Sequence, residues 1–302
     1  MSKLIFGTYA DSARALREVS HLESSLRTFG GGFSNSEIRL FMPQDKCQEL
    51  RDTQILTDSS RVRPQPINID PQSIEFFYSG KVFAASLCEH ALEQSQDILV
   101  WLDCDTIFLR QPDEFDLPED ICFGYRPVMH NLISSLYTEA PNEFWTRVYN
   151  LLNISGDKLF PMLTHTDRQE IRPYFNCGVM AVRPQRGIFR KWLEDWKILY
   201  SDPVFIEQAK NEKLVKIFLH QAALVGAVLN LAETSELMCL PDSINYPLFF
   251  KEMYGADHEY DDLTDVTTLR YDIYFRNPAP DWVSRLKGPQ PALDWLAEHL
   301  GR

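Results

Sequence analysis

The opening of the chain leaves few options for its fold. Leu4-Ile5-Phe6-Gly7-Thr8-Tyr9 is an apolar run of strand length, and Ala13, Leu16, Val19, Leu22, Leu26 and Phe29 follow it at helical spacing. Gly30-Gly31-Gly32 stops that helix, and Ile38-Arg39-Leu40-Phe41-Met42 supplies a second strand ending at Pro43. Strand, helix and strand joined this way make a βαβ unit, which predicts an α/β fold with a Rossmann-like, mainly parallel sheet flanked by helices. Ligands of such sheets bind beyond the carboxyl ends of the strands, where Gly7, Thr8 and Tyr9 stand. Gly7 permits close backbone approach and Tyr9 offers a ring face to a base, although each residue alone is equally an ordinary strand-to-helix turn.

The chain's 302 residues, 44% of them hydrophobic, can fill one large core, and no internal repeat, low-complexity tract or long linker divides them. A formal charge of −13 opposes non-specific nucleic-acid binding, which depends on Lys and Arg neutralising phosphates. An anionic ligand then needs local help, from a metal or a well-placed lysine. The cysteines at 47, 88, 104, 122, 177 and 239 contain no Cys-x-x-Cys pair and read as reduced, mostly buried thiols. The amino terminus reads as a strand, not a signal peptide, and the longest wholly apolar stretch, Ala222 to Leu229, falls short of the ~20 residues that span a bilayer. The expectation is a soluble, cytoplasmic protein without a transmembrane segment.

Residues 98–109, Ile-Leu-Val-Trp-Leu-Asp-Cys-Asp-Thr-Ile-Phe-Leu, carry the chemistry. An apolar strand there delivers Asp103 and Asp105 as it leaves the sheet. In an extended segment residues i and i+2 point the same way, so the two carboxylates can face one divalent cation. Mg2+ and Mn2+ prefer oxygen ligands and commonly take one or two carboxylates plus the phosphates of a substrate. The alternative is a strand end whose aspartates only solvate a turn, but adjacent ionised carboxylates at the edge of a core repel each other without a compensating cation.

Around this centre, a helix is expected from about Tyr78 to Gln94 with Lys81 in its first turn, where the helix dipole does not favour a cation unless an anion is near. Residues 45–75 read as short strands and loops. Helices are expected over Asn142–Leu152, Ile188–Tyr200, where Trp192 and Trp196 read as core, and Phe218–Leu229, with a closing helix near Pro291–Leu300. The segment Pro173 to Pro184 is a core strand entered through Asn176-Cys177-Gly178, in which the amide both donates and accepts and the glycine leaves room beside it. Phe249, Phe250 and Tyr254 near Asn245-Tyr246-Pro247 offer aromatic faces on which an acceptor sugar can stack, and read equally as core or loop packing.

Taken in order, these segments resemble the GT-A nucleotide-sugar glycosyltransferases, and most closely the family-8 type that includes glycogenin and bacterial galactosyltransferases. The resemblance rests on Leu4–Tyr9, Asp103-x-Asp105, Tyr174–Pro184, His220-Gln221 with Leu229-Asn230, and Leu240–Pro247. It implies a single domain with a nucleotide-binding half, 1–125, and an acceptor half with a C-terminal extension, 126–302. It further implies that Gly7, Thr8 and Tyr9 contact the uracil and ribose of a UDP-sugar, with Lys81 near the donor sugar and diphosphate. Asp103 and Asp105 hold Mn2+ or Mg2+ in that scheme, Asp103 also approaching the ribose or sugar. Asn176 and Gly178 line the sugar pocket, and Gln221 lies near the anomeric carbon. The acceptor, whether glycan, lipid or protein, is not specified.

This chain departs from the family pattern twice. His220-Gln221 replaces the usual Asp-Gln, and the late histidine that completes the family's metal shell is not evident, since His258 lacks its context. Gln221 then positions the sugar in a retaining transfer, whereas an inverting transfer calls for a base, for which His220 is the candidate. Two other assignments compete. Leu-Asp-Cys-Asp-Thr also resembles the nucleophile segment of haloacid-dehalogenase-type phosphatases, with Asp103 attacking and Asp261-Asp262 as a downstream pair, but here a complete βαβ unit precedes it. The missing carboxylate at 220 is compatible with a non-catalytic nucleotide-sugar-binding protein.

Overall fold

The computed structural model describes residues 3–56, 61–248, 261–271 and 281–300. His258, Phe249, Phe250 and Tyr254 lie outside the described residues. The opening unit forms as the spacing predicts: β1 (Leu4–Tyr9), α1 (Ala13–Phe29) and β2 (Ile38–Pro43), with Ser12 capping α1 by accepting from the Ala15 amide and Gly30 closing it. The region 45–75, expected to hold short strands and loops, contains the strand β3 (Val62–Ile67) and also a short helix, α2 (Cys47–Asp52). After it come α3 (Ser79–His90), β4 (Ile98–Leu102), β5 (Thr106–Phe108), β6 (Phe123–Pro127) and α4 (Glu143–Leu151).

The second half contains the short β7 (Met162–Leu163) and β8 (Glu170–Ile171), then β9 (Phe175–Val182), α5 (Ile188–Tyr200), α6 (Pro203–Asn211) and α7 (Lys213–Leu231). The short strands β10 (Leu237–Cys239), β11 (Tyr246–Pro247), β12 (Asp261–Asp262), β13 (Thr268–Arg270) and β14 (Leu286–Lys287) precede a last helix, α8 (Gln290–Leu300).

Seven strands make the central sheet in the order β10-β6-β9-β4-β1-β2-β3. Within it β1 pairs parallel with β2 and β4, β2 with β3, and β6 with β10, while β9 runs antiparallel to both neighbours, β4 and β6. That single reversal places the site. It brings the first residues of β9 to the carboxyl end of β4, with Leu102 opposite Val179.

Strand β4 is buried along its whole length and feeds both faces of the sheet. Leu99 and Trp101 enter a core shared with α3, α5 and α7, while Ile98, Val100 and Leu102 enter one shared with α1 and α2. Trp192 and Trp196 are fully buried in the first of these cores. Helix α7 is long and apolar enough by composition to cross a membrane, but most of it is buried, and it packs against α5. A third cluster, built on Ile107, Leu269, Trp282 and Trp295, joins β5 to the C-terminal elements through the antiparallel β13–β5 pair. The six cysteines form no disulfide; four are buried, Cys104 is half-buried and Cys239 is exposed.

Candidate active site

Asp103 follows the last residue of β4, and the backbone turns at once: the Thr106 amide donates to the Asp103 carbonyl at 3.2 Å. The extended i, i+2 geometry expected for the two carboxylates is therefore not what occurs. A tight turn between β4 and β5 still brings both to one cavity of about 920 Å3, shared with Tyr9, Lys81 and Arg270. The Cys104 thiol between them donates to Glu18 on α1 at 3.1 Å, fixing the middle of the turn.

Each carboxylate is met by a cation. Lys81 Nζ lies 2.5 Å from Asp103 Oδ1, and its side chain is almost wholly buried. Burial by itself lowers an ammonium pKa, but the adjoining Asp103 carboxylate outweighs it, and the lysine is held above its ordinary value. Its Nζ also reaches the Cys177 carbonyl at 3.5 Å and sits 4.9 Å from the centre of the Tyr78 ring. Tyr78, just before α3, adopts the left-handed conformation, φ 65°, that turns the chain into the helix. Asp105 faces Arg270, whose Nε is 3.4 Å from Oδ2.

The reversed strand completes the flank. The Asp103 amide donates to the Gly178 carbonyl at 2.9 Å, and the Gly178 amide donates to Asn176 Oδ1 at 2.8 Å. A Cβ on Gly178 would stand 2.9 Å from Asn176 Oδ1 and 3.1 Å from Asp103 Oδ2, so only glycine leaves the carboxylate where it is. Asn245, in the left-handed region at φ 57°, places its Nδ2 3.4 Å from Asn176 Oδ1. Gln221 is buried behind this strand, its Oε1 accepting from the Cys177 amide at 3.4 Å.

Of the residues expected at the site, Gly7, Thr8, Asn176, Gly178, His220 and Gln221 are not among those lining the cavity. The space beside Gly7 is filled by the Trp101 ring, since a Cβ there would fall 2.8 Å from Cε3; the glycine accommodates this core indole and does not line the cavity. Thr8 is buried and likewise not part of the lining, so Tyr9 alone of the three faces the cavity, with one flank of its ring against Gly80 of α3. His220 is a core residue: 3% exposed, it packs near Tyr78, Trp192 and Trp196, and its Nδ1 meets the Ile217 carbonyl at 2.8 Å. Burial, reinforced by Lys81, holds its pKa well below the ordinary histidine value, which makes it a poor general base.

The sequence reading missed Arg270 and left Asn245 out of the site. Asn245 was signalled by Asn-Tyr-Pro, and Arg270 only by the β-prone run Val266 to Tyr271. Asp261, the partner suggested for a phosphatase centre, instead accepts from the Tyr246 hydroxyl at 2.5 Å and is not among the residues lining the cavity with Asp103.

No curated protein matches this sequence. Among solved structures, apo mouse xyloside xylosyltransferase 1 superposes with a TM-score of 0.50 at 12% identity, covering 92% of this chain and 100% of that one. The bifunctional glycosyltransferase WbbM gives 0.49 at 12% identity over 100% of this chain and 50% of its own, and the galactosyltransferase LgtC, solved with donor and acceptor sugar analogues, gives 0.46 at 16% identity over 98% and 95%. The xylosyltransferase likeness is one of fold and identifies the architecture as GT-A. Residues 9–231, well over half of the chain and including both carboxylates, β9 and Gln221, match the model of the Rhodobacterales glycosyltransferase domain, and the chain belongs to that family.

Proposed function

We propose that this glycosyltransferase moves a sugar from a nucleoside diphosphate donor, of the UDP-sugar type, to a glycan, lipid or protein hydroxyl with retention of anomeric configuration. The observation that carries this reading is the setting of Asp103, fixed by Lys81 on one side and by Asn176-Cys177-Gly178 on the other, at the mouth of a cavity that also holds Asp105. The division into a nucleotide half and an acceptor half belongs to the same proposal, with β9 crossing from the second half to serve the first.

Asp103 and Asp105 suit a hard divalent cation, Mn2+ or Mg2+: both offer oxygen donors to one cavity. Among the described residues no third His, Cys, Asp or Glu joins them in a metal-binding group, so the remaining ligands would be phosphate oxygens and water. Asp103 and Asp105 would hold such a cation, whose Lewis acidity would offset the charge that grows on the departing diphosphate. The chain's own residues do the rest. Tyr9 lies where it can meet the base and Lys81 adds fixed positive charge, while Asn176 and Asn245, buried behind the lining, hold the strand that carries Gly178 against Asp103. The acceptor oxygen bonds to the anomeric carbon on the face from which the diphosphate oxygen leaves, and the acceptor proton passes to that oxygen. Such a step needs no protein nucleophile, and Gln221, buried behind β9, acts on the site only through the Cys177 backbone it holds.

Calorimetric titration with UDP, with Mn2+ and again with chelator, tests the reading on wild type and Asp105→Ala. Metal-dependent UDP binding lost in the variant supports it, and binding of no nucleoside diphosphate in either condition overturns it. Product NMR settles the stereochemistry, an inverted anomer refuting retention.

A further inference from the structure

The two cations at the carboxylate turn are not equivalent. Lys81 is locked: its ammonium is 2.5 Å from Asp103, it also reaches the Cys177 carbonyl, and its side chain is 8% exposed. Arg270 stands 3.4 Å from Asp105, with a side chain 20% exposed at the cavity wall. It arrives on β13, where it pairs with Thr106, the residue after Asp105, so the backbone is fixed by sheet hydrogen bonding while the guanidinium projects over the turn. An arginine on a rigid strand, with five N–H donors in a planar fork, is built to meet a planar or tetrahedral oxyanion, and the side chain is long enough to exchange one acceptor for another.

Charge gives a reason for that exchange. The chain is strongly acidic, at −13, and the cavity presents two carboxylates to a ligand that is itself an anion. Arg14, another cation of the lining, is engaged with Glu18 at 2.9 Å. Lys46, exposed on the lining, donates to the Asp11 carbonyl at 3.4 Å, and at the carboxylate turn itself the described residues offer a diphosphate only the locked lysine if Arg270 stays on Asp105. If it turns to the phosphates, the ligand gains a charge-assisted contact and Asp105 regains its full charge for a cation.

We propose that Arg270 is a diphosphate-binding residue that rests on Asp105 and transfers to the phosphate oxygens of the donor when the nucleotide enters. This rests on the nucleotide-sugar reading of the cavity. It assigns a role to a residue beyond the segment that matches the family model, which ends at 231. Because Arg270 and the divalent cation compete for Asp105, nucleotide and metal binding help each other, and reciprocally so.

The test is calorimetric titration of the full chain with UDP and with Mn2+, separately and together, on wild type, Arg270→Ala, Arg270→Lys, Asp105→Asn and the Asp105→Asn/Arg270→Ala double variant. Arg270→Ala should weaken UDP binding in the presence of Mn2+ by roughly tenfold to a hundredfold, the range for losing a hydrogen bond to a charged group, with Arg270→Lys recovering part of it. The same Ala variant, without nucleotide, should bind Mn2+ more tightly than wild type. In chelator, Asp105→Asn should bind UDP more tightly than wild type because Arg270 is released, and the double variant should lose that gain. The Asp105→Asn single variant keeps Arg270 in place, so its comparison with wild type stands even if Arg270→Ala folds poorly. Wild type that binds UDP while Arg270→Ala binds it within twofold, or a double variant that keeps the gain, overturns the role of Arg270 and leaves the donor site intact. Wild type that binds no nucleoside diphosphate overturns the donor reading itself.

Discussion

Glu89 offers a quantitative test of how α3, the helix that carries Lys81, is held. Its carboxylate is fully buried, and its two oxygens accept from the Phe189 amide at 3.1 Å and the Arg190 amide at 2.8 Å, capping α5 from the neighbouring helix. Burial raises its pKa from 4.5 to about 7, against the downward pull of those amides and of the Arg190 guanidinium. With the folded value raised, the native state keeps a proton that the unfolded chain has already lost, so the stability tied to this group is full below 4.5 and drains away as pH rises to about 7. The whole swing is about 3 kcal/mol. Roughly 2 kcal/mol of it falls between pH 5.5 and 8, a window that avoids the isoelectric point near 5.0.

Glu89→Gln removes the titration and keeps the shape. One amide loses its acceptor at every pH, a constant cost of about 1–3 kcal/mol, but the slope disappears. Urea unfolding of both proteins by circular dichroism should therefore show the variant gaining about 2 kcal/mol on wild type between pH 5.5 and 8. Parallel stability profiles would mean that Glu89 is ionised throughout, and that the helix terminus and Arg190 outweigh burial.

Gly178→Ala should displace the Asp103 carboxylate and lower kcat/KM at least tenfold, at a stability cost of about 1–3 kcal/mol read by thermal unfolding with the circular dichroism spectrum unchanged. The depressed pKa of His220 means that the folded state resists protonation there, so stability is lost as pH falls below the ordinary value of 6.5, and His220→Gln should flatten that slope. A limb near that pH in the kcat profile that vanishes in the same variant would instead make His220 a catalytic group. Asn142 caps α4 by accepting from the Trp145 amide at 2.9 Å, and Asn142→Ala should cost about 1 kcal/mol in urea unfolding without affecting nucleotide binding.

Elements with strong local signals were legible in the sequence. Strand β4 is a continuous apolar run, and α5 occupies Ile188–Tyr200 as its periodicity predicts. Helix α6 escaped notice although Asp202-Pro203 is a helix start: Asp202 caps it through the Val204 and Phe205 amides. Helix α7 begins at Lys213, five residues before its apolar pattern becomes plain, because Lys213 and Lys216 flank Leu214 and Val215 in its first turn and break the continuous apolar run. The site was legible where one segment carries it, as with Asp103 and Asp105 or Asn176 and Gly178. The direction of β9 was not, since hydrophobicity is the same read either way. Nor was the meeting of Asp105 with Arg270, 165 residues later, which depends on strand pairing between distant segments.

The pairing of β13 with β5 also bears on how such proteins can be recombined. The family match ends at residue 231, whereas Asn245 and Arg270 reach the carboxylate turn from beyond it. The segment that matches the family model is thus smaller than the set of residues that assembles the cavity. A chimera that joins residues 9–231 to the tail of a relative would inherit the carboxylates and exchange the groups facing them, so the charge balance of the cavity can diverge while the matched segment stays unchanged.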